Sequence, residues 1–256
     1  MPVARRLALG RLVSLAGGSA AYIALVAAIY GETGSALWVS AAIFASVVAS
    51  VASAAPAGWI GDRFDRRRVL VGADLAAAAV SLAMAASSKH AAALVVLLGV
   101  SSIVQAPFEP ASASALPNVV PAADVPRANA LVAATSSAGY LVGPLLGGAV
   151  LGVGASSAEL FVVDAATFVV SALLVATIRR PFGRGSTEQH PGLLAGVRLI
   201  ACERSLRLPV LAGMVSLVGV GIVDVASYPL SLDLYGGAAG YGAMTGLLGG
   251  GGLLGA

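Results

Sequence analysis

Charge is confined to the joints of this chain, and what lies between the joints is long and apolar. Apolar stretches run at about 8–30, 36–57, 69–87, 91–116, 127–152, 159–178, 209–232 and 241–256, and about 20 such residues cross a hydrocarbon core. A soluble bundle of this size would need a polar shell. With 11% charged and 58% hydrophobic residues, this chain has no residues to build one. The sequence therefore predicts an all-α, multi-pass membrane protein. The first stretch follows Arg5 and Arg6 but runs on through Tyr30, too long for a cleaved leader, and it reads as a retained span.

The connections alternate in sign. Those after spans one, three, five and seven carry Glu32, Lys89, His90, Glu159 and Asp233. The N-terminus and the remaining connections carry Arg5, Arg6, Arg11, Arg63, Arg66, Arg67, Arg68, Arg127, Arg179, Arg180, Arg184, Arg198, Arg204 and Arg207. Of the 15 basic residues, Lys89 alone falls on the other side. Cytoplasmic loops collect Lys and Arg, so the expected topology places the N-terminus in the cytoplasm of a cell whose inner membrane holds the protein. The same count explains the net charge of +3 without any nucleic-acid partner. The longest polar stretch, residues 179–208, carries a candidate amphipathic helix at 192–206 and reads as a cytoplasmic linker.

One connection is denser in charge than the rest: Gly58-Trp-Ile-Gly-Asp62-Arg63-Phe-Asp65-Arg66-Arg67-Arg68. A small residue at Gly58 suits a tight interhelical turn, Asp62 can accept from N–H groups opening the next helix, and the arginines can bridge to acids or helix C-termini. Gly58, Asp62, Arg63, Arg66 and Arg67 resemble the signature between the second and third helices of the major facilitator superfamily of secondary transporters. Asp65 stands where glycine is commonest. In the fifth span, Gly139, Gly143, Pro144, Gly147 and Gly148 are similar to the antiporter motif of exporters in that superfamily. Gly139, Gly143 and Gly147 make one smooth face, Pro144 permits a bend, and a like face recurs at Gly242, Gly246 and Gly250. These two faces are expected to pack together. The segment from Pro107 to Leu131, with 161–174 and 241–246, resembles enterobactin-exporter-like and macrolide-efflux-like members.

Four acids fall inside apolar segments, where a carboxylate is costly and marks a candidate site. Asp74 is expected to support the arginine loop, Glu109 to pair with Arg66 or Arg67, and Asp164 to be solvated near the far face. Asp224, deepest in span seven, is the candidate substrate-facing or protonatable group, with Ser19, Tyr22, Ser101 and Tyr228 as possible neighbours. Gly18 replaces an acid that many of the resembled proteins carry, and span four has Gln105 without an arginine, which leaves proton coupling open.

Other chemistry finds no support. His90 and His190 lie in loops on opposite sides, Cys202 is single, and no phosphate-binding glycine loop ends in Lys-Ser or Lys-Thr. Neither an enzyme, a metal site nor a cofactor is expected. The resemblance implies a six-helix N-terminal domain (1–180), a linker (181–208) and an incomplete C-terminal domain (209–256) cut off in its eighth helix. It implies efflux of a small amphipathic compound across the lipid bilayer by alternating access, with a proton as a possible coupling ion. The alternative expectation is a truncated, non-transporting membrane protein or gene remnant.

Overall fold

A computed structural model describes residues 2–178, 198–199, 201–234 and 236–254. Among these residues the chain is helical and forms no sheet. The helices are α1 (Pro2–Thr33), α2 (Ala36–Arg63), α3 (Arg66–Ala86), α4 (Ala91–Gln105), α5 (Phe108–Val119), α6 (Val125–Gly152), α7 (Ser157–Ala176), α8 (Arg204–Leu234) and α9 (Ala238–Leu254). Seven segments are long and apolar enough to cross a membrane, α4 and α5 counting as one; α9, of 17 residues, completes the expected set. Most of the expected linker, including Arg179, Arg180, Arg184 and the first six residues of 192–206, lies outside the described residues.

The fourth span is broken rather than continuous. Pro107 has no N–H to extend α4, so the ladder stops at Ala106, whose own N–H bonds back to Ser102 and Ile103. A second helix then starts at Phe108.

The helix ends use the acids that the sequence leaves in loops. Ser156 and Glu159 form a reciprocal capping box on α7, at 3.3 and 2.8 Å. Glu32, at the end of α1, accepts from the Ala91 N–H at 2.5 Å and so caps α4 from a distance of 59 residues. The turn between α1 and α2 passes through Gly34 at φ +61°, and Ser35 caps α2. These acids serve the fold and leave the intramembrane carboxylates as the unexplained ones.

Helix α1 is the axis of the bundle, packed along α6 on one side and α7 on the other. α3 pairs with α7, and α2 with α4. α2 buries little of its length and shows Leu37, Phe44 and Val51 at 71–76% exposure, as a lipid-facing helix should. Two apolar clusters close the ends. One, near the charged loop, centres on Leu70, Phe108, Leu116 and Val175. The other, toward the α1–α2 turn, centres on Ile23, Leu25, Ile29, Leu94 and Phe161.

Candidate functional site

Between the two clusters lies a cavity of about 590 Å³ walled by α1, α3, α4, α6, α7, α8 and α9. Most of its wall is aliphatic and aromatic. Into it project a few polar groups, among them Arg11, Tyr22, Ser101, Gln105, Asp164 and Asp224. Ser19 lines it too. Helices that precede residues 179–197 and helices that follow them thus line one cavity.

Asp164 sits two turns into α7 and is 4% exposed, not solvated near a face as expected. Its Oδ2 accepts from the Ser81 hydroxyl of α3 at 2.7 Å, and its Oδ1 has no hydrogen-bond partner. The cause is helix phase: position 164 lies on the face that also buries Phe161, Ala165 and Phe168. A Cβ on Gly18 of α1 would lie 3.8 Å from Asp164 Oδ1, so the Asp164 carboxylate faces the place where the resembled proteins carry an acid. Asp224 lines the same cavity from α8, near the phenols of Tyr22 and Tyr241.

Tyr228 is not on the cavity. One turn beyond Asp224, it stacks edge-on against Tyr30 (5.4 Å between centroids) and Tyr241 (5.2 Å). This three-ring cluster joins α1, α8 and α9 between the cavity and the α1–α2 turn.

At the charged-loop end the expected pairings are replaced. Glu109 pairs with Arg11 of α1, not with Arg66 or Arg67. Arg11 also lies 4.9 Å over the Phe108 ring, and Asp74 and Tyr140 lie near it. Asp74, 2% exposed on α3, turns toward Arg11 and the Ser171 hydroxyl of α7 rather than toward the arginine loop. Arg11 is the cavity-lining residue that the sign count concealed. It lies within the apolar stretch 8–30, and an arginine inside a span was the available signal. The pair orients the guanidinium.

The loop is built differently from the expectation. Gly58 lies inside α2 with open space around its would-be Cβ, so close approach does not explain it. The turn is made by Phe64 and Asp65, and Asp65 caps α3 by accepting from the Arg68 N–H at 3.2 Å. The Asp62 side chain lies outside the described residues. Arg67 donates to the Ala176 carbonyl at the C-terminus of α7, a favourable place for a cation. Arg63 lies 5.4 Å over the Trp59 ring.

The glycines of α6 also divide. Gly139, Gly143 and Gly147 face α1, where a Cβ would lie 2.8 Å from Leu15 Cβ, 2.5 Å from the Ala16 carbonyl and 2.8 Å from Ala20 Cα. The expected pairing of that face with Gly242, Gly246 and Gly250 is therefore corrected. Those residues meet the neighbouring face of α6, which carries Tyr140, Leu141, Pro144, Leu145 and Gly148.

A bundle of spanning helices around a shared cavity is matched at family level. The family model described as Major Facilitator Superfamily matches residues 7–256. The chain belongs to the major facilitator superfamily. No curated protein matches the sequence. Among solved structures, the chain is similar to a bacterial homolog of the human lysosomal transporter Spinster in an inward-facing, unoccupied conformation. The TM-score is 0.72 at 16% identity, over 95% of this chain and 58% of that one. It is also similar to a D-xylose–proton symporter, with a TM-score of 0.69 at 14% identity, over 96% of this chain and 65% of that one. This major facilitator chain thus spans roughly three fifths of the length of those neighbours. Among the described residues, no group of three His, Cys, Asp or Glu is placed to hold a metal ion.

Proposed function

We propose that this chain works in secondary active transport, exporting a small amphipathic compound by alternating access around the cavity between α1, α7, α8 and α9. The observation that carries the reading is the composition of that cavity: buried Asp164, half-buried Asp224 and Arg11 set into otherwise apolar walls. An intramembrane carboxylate with an oxygen left unpartnered is expensive, and a binding or proton-carrying role accounts for keeping it. A midplane site between two groups of helices is what rocking of one group against the other would expose in turn.

In this reading residues 1–180 and 209–256 belong to two transmembrane domains joined by a cytoplasmic linker at 181–208. The N-terminus lies inside the inner membrane's cytoplasmic face, and protons are the candidate driving ion. Asp62, Arg63, Arg66 and Arg67 latch one state. The likeness of 107–131 to enterobactin and macrolide exporters supports the outward direction.

The test is an efflux panel of amphipathic compounds in cells expressing the chain, with an Asp62→Asn variant beside it. Efflux of at least one compound, lost in the variant at unchanged membrane insertion, is the expected result. Efflux that is the same with and without the protein, for every compound, overturns the reading. Normal efflux by Asp62→Asn removes the latch from it.

A further inference from the structure

Two carboxylates line the cavity, and the described residues bring no cation to either. Asp164 has one oxygen bonded to Ser81 and the other buried without a partner. Asp224 makes no ion pair or hydrogen bond among the described residues, and its polar neighbours are the phenols of Tyr22 and Tyr241. The cavity does contain a guanidinium, but it is already committed: Arg11 pairs with Glu109, lies over Phe108 and has Asp74 facing it from α3. The groups of the cavity left without a counter-charge are therefore acidic. Around them the wall is apolar, with Leu25, Met84, Phe168 and Val220 among its residues.

We infer that the cavity binds an amphipathic organic cation, an amine or onium compound. Its charge sits against Asp164 Oδ1 and Asp224, and its apolar body lies on Met84, Phe168 and Val220. A buried anion without a partner favours whatever brings the opposite charge, and low-polarity walls sharpen that preference. A small inorganic cation fits less well, since it would surrender its water to walls that offer few oxygen ligands. An anionic compound would meet two carboxylates and an arginine already occupied. The inference rests on the reading that this cavity is the transport site, and adds the charge class of what enters it.

The probes are tetraphenylphosphonium and tetraphenylborate, which share a shape and differ in sign. Equilibrium dialysis of the purified chain in detergent, with empty micelles subtracted, measures both. The phosphonium is expected to bind saturably and at least about tenfold more tightly than the borate, and to be weakened about tenfold by Asp164→Asn and by Asp224→Asn. The comparison of the two ions on the unaltered chain needs no variant. Half-buried Asp224 keeps the site assignment testable should Asp164→Asn fail to give a monodisperse protein. Equal or tighter binding of the borate, no saturable binding of the phosphonium, or phosphonium binding untouched in well-folded Asn variants each overturns the assignment. The efflux panel separates this from the transport reading. Phosphonium binding with no compound exported sinks transport and leaves the site; export of anions alone, without phosphonium binding, sinks the site and leaves transport.

Discussion

Helix α6 uses the same device twice, on faces about 100° apart, because Gly147 and Gly148 are successive residues of a helix with 3.6 per turn. Toward α1, glycine at every fourth position lets two backbones touch along about two turns. Toward α9, Gly148 and the carbonyl of Pro144 meet Gly242, and the Tyr140 carbonyl meets Gly249. Contact distances on the two seams are alike, but what stands behind them is not. α1 is gripped on its far side by α7 and supplies residues to both large apolar clusters. α9 leans chiefly on α6, with less support from α8 and α1. Close packing of small residues therefore does not by itself tell a permanent joint from a separable one. The second support decides. In the proposed transporter the α1 seam belongs inside one domain, and the α9 seam is where two domains would rock.

The comparison breaks first at Gly143. A leucine there begins 2.5 Å from the Ala16 carbonyl, and backbone cannot give way as a side chain can. Gly143→Leu is expected to cost about 3 kcal/mol, the upper end of overpacking, and to lower the yield of folded protein and its melting temperature in detergent. Wild-type melting would show that the α1 seam is slack. Gly148→Leu meets the Ala238 carbonyl at 2.7 Å and Gly242 Cα at 2.8 Å, an equally hard contact, yet the expected loss is smaller, about 1–2 kcal/mol, because α9 can lift away. A cross-link reads that movement. A Cβ on Gly152 would lie 3.1 Å from Ala239 Cβ, so Gly152→Cys with Ala239→Cys, in a Cys202→Ser background, places two cysteines within disulfide reach. The disulfide should form in an otherwise unaltered chain and fade when Gly148→Leu is added. An intact cross-link, or melting as poor as that of Gly143→Leu, would make the two seams equivalent.

What the sequence showed of this follows from which interactions are local. Spans need only length and hydropathy, so the helices stand close to where the apolar stretches put them, although 91–116 reads as one stretch and the break at Pro107 shows only in the fold. The all-helical membrane fold was legible for that reason. Partners were not. Arg11 and Glu109 are 98 residues apart, and Ser81 and Asp164 are 83 apart, so only the folded bundle brings them together. Counting arginines by sign sent Arg11 to the aqueous flank although it sits inside the first span. Likewise, glycines four apart announce a close neighbour without naming it, and one residue of phase separates Gly147, on α1, from Gly148, on α9. Gly58 shows the converse error: a glycine in a motif need not have a close neighbour among the described residues.

The smallest effect comes from a glycine on neither seam. Gly213 lies within α8, away from its ends, and a Cβ there would meet nothing within 4 Å. Glycine inside a helix costs about 1 kcal/mol relative to alanine through backbone freedom, with no packing here to offset it. Gly213→Ala is therefore expected to raise the melting temperature by the equivalent of about 0.5–1 kcal/mol, opposite in sign to the seam substitutions. Differential scanning fluorimetry in one detergent, run beside Gly143→Leu and Gly148→Leu, checks it. A loss of stability at Gly213 as large as at Gly148 would mean that α8 also packs closely along that face, and the ranking of seams by their backing would fail. A gain would confine the cost of a larger side chain to glycines whose backbones touch a neighbour, which is the property that sets the two faces of α6 apart from the exposed face of α8.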